Sequence, residues 1–384
     1  MEEVESKATR IEVAKKNSLN EEGYTLPPFR SLSVMVNSTC NLRCKHCDLP
    51  RFFDRYSGTL GTEEWGDLID KLIKEYSPVA VSVSAMEPLL PDGSREKTVQ
   101  ILKVAKRNGL RAGLVTNGMY AGEFLSAWHA KSSPLDFLDI SIDGPPEVDK
   151  RIRGTKHLAA IEAFLKSGVS SEAVERVYIS TALSQWNCSF KAITRHIDWV
   201  SELTDNPRIV FLAIHPNEHV DKRLPLPGKR FEETISSLAK GSRRCEEMFL
   251  DVFPSSLPDL AHLIENEILP GRGAVAEDDT GMLWGHVSDN LFVRYNNNQL
   301  LSRYQLRISP EGFALLPDAI EYSGYLSHSF GNLLLETPRA ILANLARRLN
   351  SEQESMPSYC RGRDCEIVCR SENRRCSAMG CFAS

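Results

Sequence analysis

The 384-residue chain contains no apolar run close to the roughly 18–20 residues that a membrane-spanning helix needs. Its first residues, Met1 to Asn20, are polar and mixed in charge, without the apolar core of a secretory signal. Both absences predict a cytoplasmic protein. Formal net charge is only −5, so there is no overall basic footprint for nucleic acid. No internal repeat is present that would point to a solenoid or propeller. Apolar residues make up 42% and charged residues 25%, which excludes a disordered or fibrous class. What remains is a globular chain long enough for two domains, or for one large domain with an appendage.

Cysteine is what the chain does have, with ten in all. Cys40, Cys44 and Cys47 form one tight group, and Cys360, Cys365, Cys369, Cys376 and Cys381 a second, leaving Cys188 and Cys245 on their own. Chain length and the missing signal argue for a reducing compartment, where clustered cysteines read as metal ligands. The first group lies in Ser38–Asp48 with the spacing Cys-x3-Cys-x2-Cys. Three thiolates cannot pair off as disulfides without leaving one over, but they can converge on one iron–sulfur cluster. A cubane cluster then keeps one iron without a protein thiolate. Such an open site separates a reactive centre from a closed structural one. Zinc ribbons favour Cys-x2-Cys pairs, so zinc ranks behind.

Periodicity gives the order of elements. After an irregular arm over residues 1–30, ended by Pro27-Pro28, Leu32–Val36 reads as a strand and leads into the cysteine loop. Trp65, Leu68, Ile69, Leu72 and Ile73 recur at helical spacing between Thr62 and Tyr76. Strands are predicted at Val79–Val83, Arg111–Val115, Phe137–Ile142, Val177–Leu183 and Ile209–Ile214, with helices between them. Six strands alternating with helices argue for a parallel α/β sheet, either a partial barrel or a doubly wound sheet. Beyond Pro216 the pattern degrades. Residues 229–240 and 243–264 carry helical spacing, and Gly271–Asp289 is a loop or lid candidate. Strand–turn–strand chemistry follows over Gln305–Leu316, then a helix over Pro338–Leu349.

The cysteine triplet, placed just after a first strand, resembles the signature of the radical S-adenosylmethionine (SAM) superfamily. Ser84-Ala85-Met86-Glu87-Pro88 stands at the end of strand two, where that family has Gly-Gly-Glu-Pro. Glu87 and Pro88 match, whereas Ala85 and Met86 depart from the two glycines. Thr116-Asn117-Gly118 ends strand three, and Ser141-Ile142-Asp143-Gly144 with Arg151-Ile152-Arg153-Gly154 follows strand four. The latter resembles the subgroup that modifies peptides and proteins. By resemblance, the fold is α/β, a partial (β/α)6 TIM-like barrel followed by a smaller α+β cysteine-rich C-terminal extension. The implied divisions are an arm at 1–30, the core barrel at 31–216, a helical and loop connection at 217–304 and an auxiliary-cluster domain at 305–384.

The same resemblance implies the site. Cys40, Cys44 and Cys47 hold a 4Fe-4S cluster whose open iron binds SAM. Glu87 accepts from the SAM amino group, Ser141 and Asp143 take the ribose, Arg153 pairs with the SAM carboxylate, and Asn117 is mainly a turn residue with a secondary SAM contact. The tail resembles SPASM/Twitch extensions. A related frame has carboxylates at Asp318 and Glu336, around Gly331, where cysteines would stand, so the implied count is one auxiliary 4Fe-4S cluster on four of the five tail cysteines. Zinc in the tail is the structural alternative. Arg361, Arg363, Arg370, Arg374 and Arg375 surround these cysteines, offsetting an anionic cluster or docking a flavodoxin or ferredoxin reductant. Cys188 is a candidate hydrogen-atom donor and His215 a candidate proton-transfer group, each against an equal or stronger structural reading.

The function implied is a radical SAM oxidoreductase of maturase type. It cleaves SAM reductively to a 5′-deoxyadenosyl radical, which takes hydrogen from an unactivated carbon, in peptide modification. The arm is too short for the separate leader-peptide-binding domain that some maturases carry. A dehydrogenase or epimerase acting on a sugar, aminocyclitol or other small metabolite therefore stays open. A non-catalytic iron–sulfur electron carrier is the alternative of another class, and a zinc-stabilised nucleic-acid binder a third.

Overall fold

In a computed structural model, the residues described are 29–47, 59–154, 157–214, 220–226, 230–252, 263, 266–270, 274–280, 282–295, 305–315 and 329–354. The first half alternates strand and helix: β1 (Ser31–Val34), α1 (Thr62–Tyr76), β2 (Ala80–Val83), α2 (Ser94–Arg107), β3 (Arg111–Thr116), α3 (Ala121–His129) and β4 (Phe137–Ser141). Three helices follow, α4 (Pro146–Arg153), α5 (Leu158–Lys166) and α6 (Val169–Ala173). Then come β5 (Val177–Leu183), α7 (Phe190–Ser201), β6 (Arg208–Ala213), α8 (Phe231–Ser242) and β7 (Glu247–Val252). The remainder is β8 (Val275–Glu277), β9 (Leu283–Ser288), β10 (Leu291–Tyr295), β11 (Gln305–Ile308), β12 (Ala314–Leu315) and α9 (Pro338–Glu354).

Strands β1 to β7 lie side by side in chain order and are parallel throughout. Parallel neighbours need crossovers, and the helices supply them. Alternate strand residues face the helices: Leu138 and Ile140 of β4, Ile209 and Phe211 of β6, and Leu250 and Val252 of β7 are all buried in one continuous core. The helices answer with a matching stripe. On α1, Trp65, Leu68, Ile69, Leu72, Ile73 and Tyr76 are buried, and Glu64 Oε2 accepts from Gly61 N at the helix start. This is the TIM-like partial barrel expected from the sequence.

The sheet runs further than the six strands that alternation revealed. β10 joins parallel to β7, and β11 joins parallel to β1. The expected helical stretch over 243–264 holds strand β7 instead. Its Met248, Leu250 and Val252 alternate onto the buried helix-facing side beside α8, and period-two burial overrides the helical spacing. Likewise, the loop or lid candidate at 271–289 contains the antiparallel pair β8–β9. Asp279 pairs with Arg111 at the start of β3, 2.7 Å, and Glu277 with Arg30 just before β1, 3.8 Å. The far edge of the sheet therefore curls round to the N-terminal ends of the first strands. Among the described residues, no helix is long and apolar enough to cross a membrane.

Candidate active site

Polar groups gather where the parallel strands end, as they do in α/β barrels. The cysteine loop leaves β1 and is tied to the neighbouring strand ends. Asn37 Nδ2 donates to Glu87 O and Ser94 Oγ, 2.8 and 2.7 Å, Glu87 N donates to Thr39 O, and Lys45 N donates to Ile152 O, 3.0 Å. Asn117 Nδ2 reaches Asn41 Oδ1 at 2.7 Å. Cys40, Cys44 and Cys47 form no disulfide and are partly exposed on this loop. Burial pushes the Cys44 thiol up to about 11 against the pull of Arg153, and raises Cys40 as well. Metal binding at these thiols therefore releases protons. Among the described residues, no three His, Cys, Asp or Glu side chains converge tightly enough for a single ion. Three soft thiols outside any disulfide, a loop pinned on both sides and an adjacent guanidinium do fit a cluster of several irons.

Glu87 is fully buried at the end of β2. Its Oε1 accepts from Leu89 N, 3.0 Å, and Thr116 Oγ1, 2.8 Å; its Oε2 accepts from Asn117 N, 2.8 Å. Burial pushes the carboxyl up to about 7, outweighing these three donors. The loop ahead of it answers the question left by the missing glycines. Ala85 and Met86 have φ of 67° and 53°, the left-handed conformation that glycine adopts without cost. The turn is kept, and the strain falls on two residues with side chains.

Behind the cysteines lies a buried ion network built on α4. Arg153 Nε lies 2.9 Å from Asp143 Oδ2, and its Nη2 donates to Asp143 Oδ1 at 3.0 Å. The same guanidinium lies 3.4 Å from Asp149, one helical turn back, and its Nη1 is 3.7 Å from Cys44 Sγ. Asp143 also accepts from Ala182 N, 2.9 Å, and meets His46 Nδ1 at 3.4 Å. Burial alone would raise the Asp143 carboxyl, but Arg153 and His46 together hold it below its ordinary range. Asp149 accepts from Asp143 N, and burial pushes it up to about 7. Within the protein, Arg153 and Asp143 therefore hold each other.

Ser141 is the last residue of β4 and is half-buried, in register with Ser180 of β5. Asn117 is chiefly a turn residue, its Oδ1 accepting from Met119 N at 3.0 Å. Cys188 is packed in the main core with its Sγ toward Gln185 O, 3.8 Å. Cys245 is likewise core, pushed up to about 12 by burial. Beside Gly331, Glu336 Oε1 accepts from Asn332 N and its Oε2 from Asn344 Nδ2. His215, Asp318 and the tail cysteines Cys360, Cys365, Cys369, Cys376 and Cys381 lie outside the described residues. Sequence reasoning missed His46, Thr116, Asp149 and Asn187. The Asp149/Arg153 spacing of four on a helix opened by proline was a readable signal. Asn187, which donates to Asp143 O and Ala182 O at 2.9 Å each, left none.

Residues 34–180 match the model of the radical SAM superfamily. This part of the chain is a radical SAM domain. It carries the cysteine loop, Glu87, Ser141, Asp143 and Arg153, and the cofactors of the superfamily are SAM and a 4Fe-4S cluster. Among curated relatives, Fe-coproporphyrin III synthase of Methanosarcina barkeri is 33% identical over 135 residues, 35% of this chain and 32% of the relative. The chain thus spans about a third of the length of that relative. Two solved structures share the fold over most of the chain. Streptococcus suis SuiB bound to the precursor peptide SuiA has a TM-score of 0.62 at 13% identity, covering 95% of this chain and 75% of SuiB. Native anSMEcpe with bound AdoMet and the Cp18Cys peptide has a TM-score of 0.59 at 14% identity, covering 90% and 88%.

Proposed function

We propose that this chain is a radical SAM enzyme of the maturase type, acting on a carbon of a peptide substrate. The observation that carries it is the convergence of Glu87 and the Arg153–Asp143 pair on the cysteine loop, through Glu87 N to Thr39 O and Arg153 Nη1 to Cys44 Sγ. When bound, the cluster and SAM supply one-electron cleavage of SAM and a carbon radical that takes a hydrogen atom from the substrate. The protein does the positioning. Glu87, fixed by three donors, offers its carboxylate to an ammonium group at the strand ends. Arg153 sets positive charge beside Cys44 and favours its thiolate. Ser141, half-buried at the end of β4, has its hydroxyl at the strand ends for a ribose. The tail cysteines hold one auxiliary cluster, and an acidic one-electron donor such as a flavodoxin reduces the enzyme.

Peptide substrates are bound by SuiB and anSMEcpe, which supports the peptide reading. The second reading, a small metabolite, is favoured by the likeness of 135 residues to the coproporphyrin enzyme. Anaerobic reconstitution tests the class. The expected result is about eight irons from two four-iron clusters, and 5′-deoxyadenosine formed with dithionite and SAM. A fully reconstituted sample that forms none overturns the enzyme reading.

A further inference from the structure

The barrel interior below the strand-end site holds a carboxylate with one oxygen that the described residues leave unpaired. Asp139 precedes Ser141 by two residues on β4, so both side chains share a face, about 7 Å apart along the strand. That face is the inner one, because Leu138 and Ile140, which alternate with them on the opposite face, pack against the helices. Asp139 is hydrogen-bonded to Ser180 of β5, yet its Oδ1 is sealed from solvent and has no hydrogen-bond partner among the described residues. Buried polar atoms are paired in native proteins, and an orphan marks a missing water, ion or ligand.

The surrounding charges do not fill the gap. Arg294 of β10 grips Asp251 of β7 through Nε and Nη2, 2.5 and 2.9 Å. Arg153 is held by Asp143. Both act on Asp139 only from a distance. Glu247 is matched by Arg208 and by the Tyr178 hydroxyl. Among the described residues, Asp139 is thus a carboxylate without its own counter-ion. Burial pushes it up to about 6, which leaves it ionised near pH 7.5. Aromatic rings stand on the same inner face. Tyr178 is cross-strand from Asp139, Phe249 meets Tyr178 edge-on at 6.2 Å, and Phe292 lies 5.6 Å from Phe249. This wall already carries one cation, since Arg294 Cζ lies 4.6 Å from the Phe249 ring centroid. An acidic group beside aromatic faces recognises a cation that also donates hydrogen bonds.

We infer that Asp139 and the Tyr178–Phe249–Phe292 wall form a substrate subsite for a protonated amine or guanidinium. This rests on the barrel interior being the substrate chamber of the radical SAM reading. A lysine side chain of a peptide and a free small amine share this chemistry.

The test uses the full chain without cluster or SAM at pH 7.5. Saturation-transfer NMR compares n-butylammonium and n-butylguanidinium with n-butanol, their uncharged counterpart. The cations are expected to bind and the alcohol not. Asp139→Asn, with an unchanged thermal midpoint, should weaken cation binding at least tenfold. Crystals of the unsubstituted protein soaked in n-butylammonium give a second measure, with the nitrogen in hydrogen-bond contact with Asp139. Equal binding of cation and alcohol, undiminished cation binding by Asp139→Asn, or a water on Asp139 Oδ1 at saturating n-butylammonium would each overturn the subsite. An acetylated, amidated Ala-Lys-Ala peptide separates the sources. Displacement of n-butylammonium at lower concentration points to a peptide lysine; weaker displacement points to a small amine. No measurement here needs deoxyadenosine formation, so failure of the subsite and failure of the radical SAM reading are distinguishable.

Discussion

Arg153 and Asp143 meet at two points, 2.9 and 3.0 Å, in a pocket where both side chains are almost fully buried. The third arm of the guanidinium stands 3.7 Å from Cys44 Sγ. The pair links the end of β4, helix α4 and the cysteine loop. It is a bracket for the loop as well as a source of positive charge.

Removing one partner of such a pair leaves the other charged and unmatched. Arg153→Met should lower the unfolding free energy by about 3–5 kcal/mol, read from denaturant unfolding. Arg153→Lys keeps the charge but loses the planar two-point grip, so its loss should be smaller. An Arg153→Met protein with an unchanged midpoint would show that the bracket carries no stability.

With Glu87 in its proposed role, SAM binding carries a pH dependence. Its carboxyl is pushed up to about 7 by burial. Below that value it is protonated and offers less to an ammonium group; above it the full negative charge is present. SAM affinity should therefore rise with pH through neutrality, by about tenfold between pH 6 and pH 8. Equilibrium dialysis on reconstituted protein under argon measures this. Glu87→Gln should bind weakly and show a flat profile. A sloped profile in that variant would move the dependence to another group.

The loop before Glu87 stores strain. Ala85 and Met86 both have positive φ, and each such residue costs roughly 1–2 kcal/mol. Part of the relief from glycine is offset by its greater freedom in the unfolded chain. Ala85→Gly or Met86→Gly should each stabilise the protein by about 0.5–1 kcal/mol in urea unfolding. Destabilisation by both would mean that the side chains' packing against the core outweighs the backbone term.

Gly118 shows the opposite case. It has φ of 79°, and a Cβ there would lie 2.6 Å from Ile161 Cγ1 and 2.9 Å from Ile140 Cγ2. Strain and overlap add, so Gly118→Ala should cost about 2–4 kcal/mol and loosen the turn that presents Asn117 N to Glu87. An unchanged thermal midpoint would show that the two isoleucines yield.

Much of this was legible in the residues. The strands β1 to β6 alternate with helices through short turns, so each announces itself by its own period. The cysteine spacing and the strand-end motifs named Cys44, Glu87 and Arg153. What stayed hidden depended on distant parts of the chain. β7 looked helical because its neighbours β6 and β10, which make it a strand, lie outside any local window. Asp143 read as a ribose ligand, yet its carboxylate is engaged by Arg153, Ala182 N and His46. That network joins three segments, and no local pattern specifies it.

The outer side of the cysteine loop carries a charge feature that bears on electron delivery. Arg151 Cζ stacks 3.7 Å from the Trp186 ring centroid, and Lys45 Nζ lies 5.3 Å from the same ring. Both cations are exposed, and Lys45 stands between Cys44 and His46. A positive face beside the cysteines on a chain of net charge −5 would draw an acidic donor to that spot. Dithionite needs no docking, which allows the two routes to be compared. Lys45→Glu combined with Arg151→Glu should cut flavodoxin-driven deoxyadenosine formation at least tenfold and leave the dithionite-driven rate intact. Raising the salt concentration should weaken the flavodoxin route in the unsubstituted protein for the same reason. Equal losses with both reductants would place the two residues in cluster assembly, and no loss with either would remove this face as the docking surface.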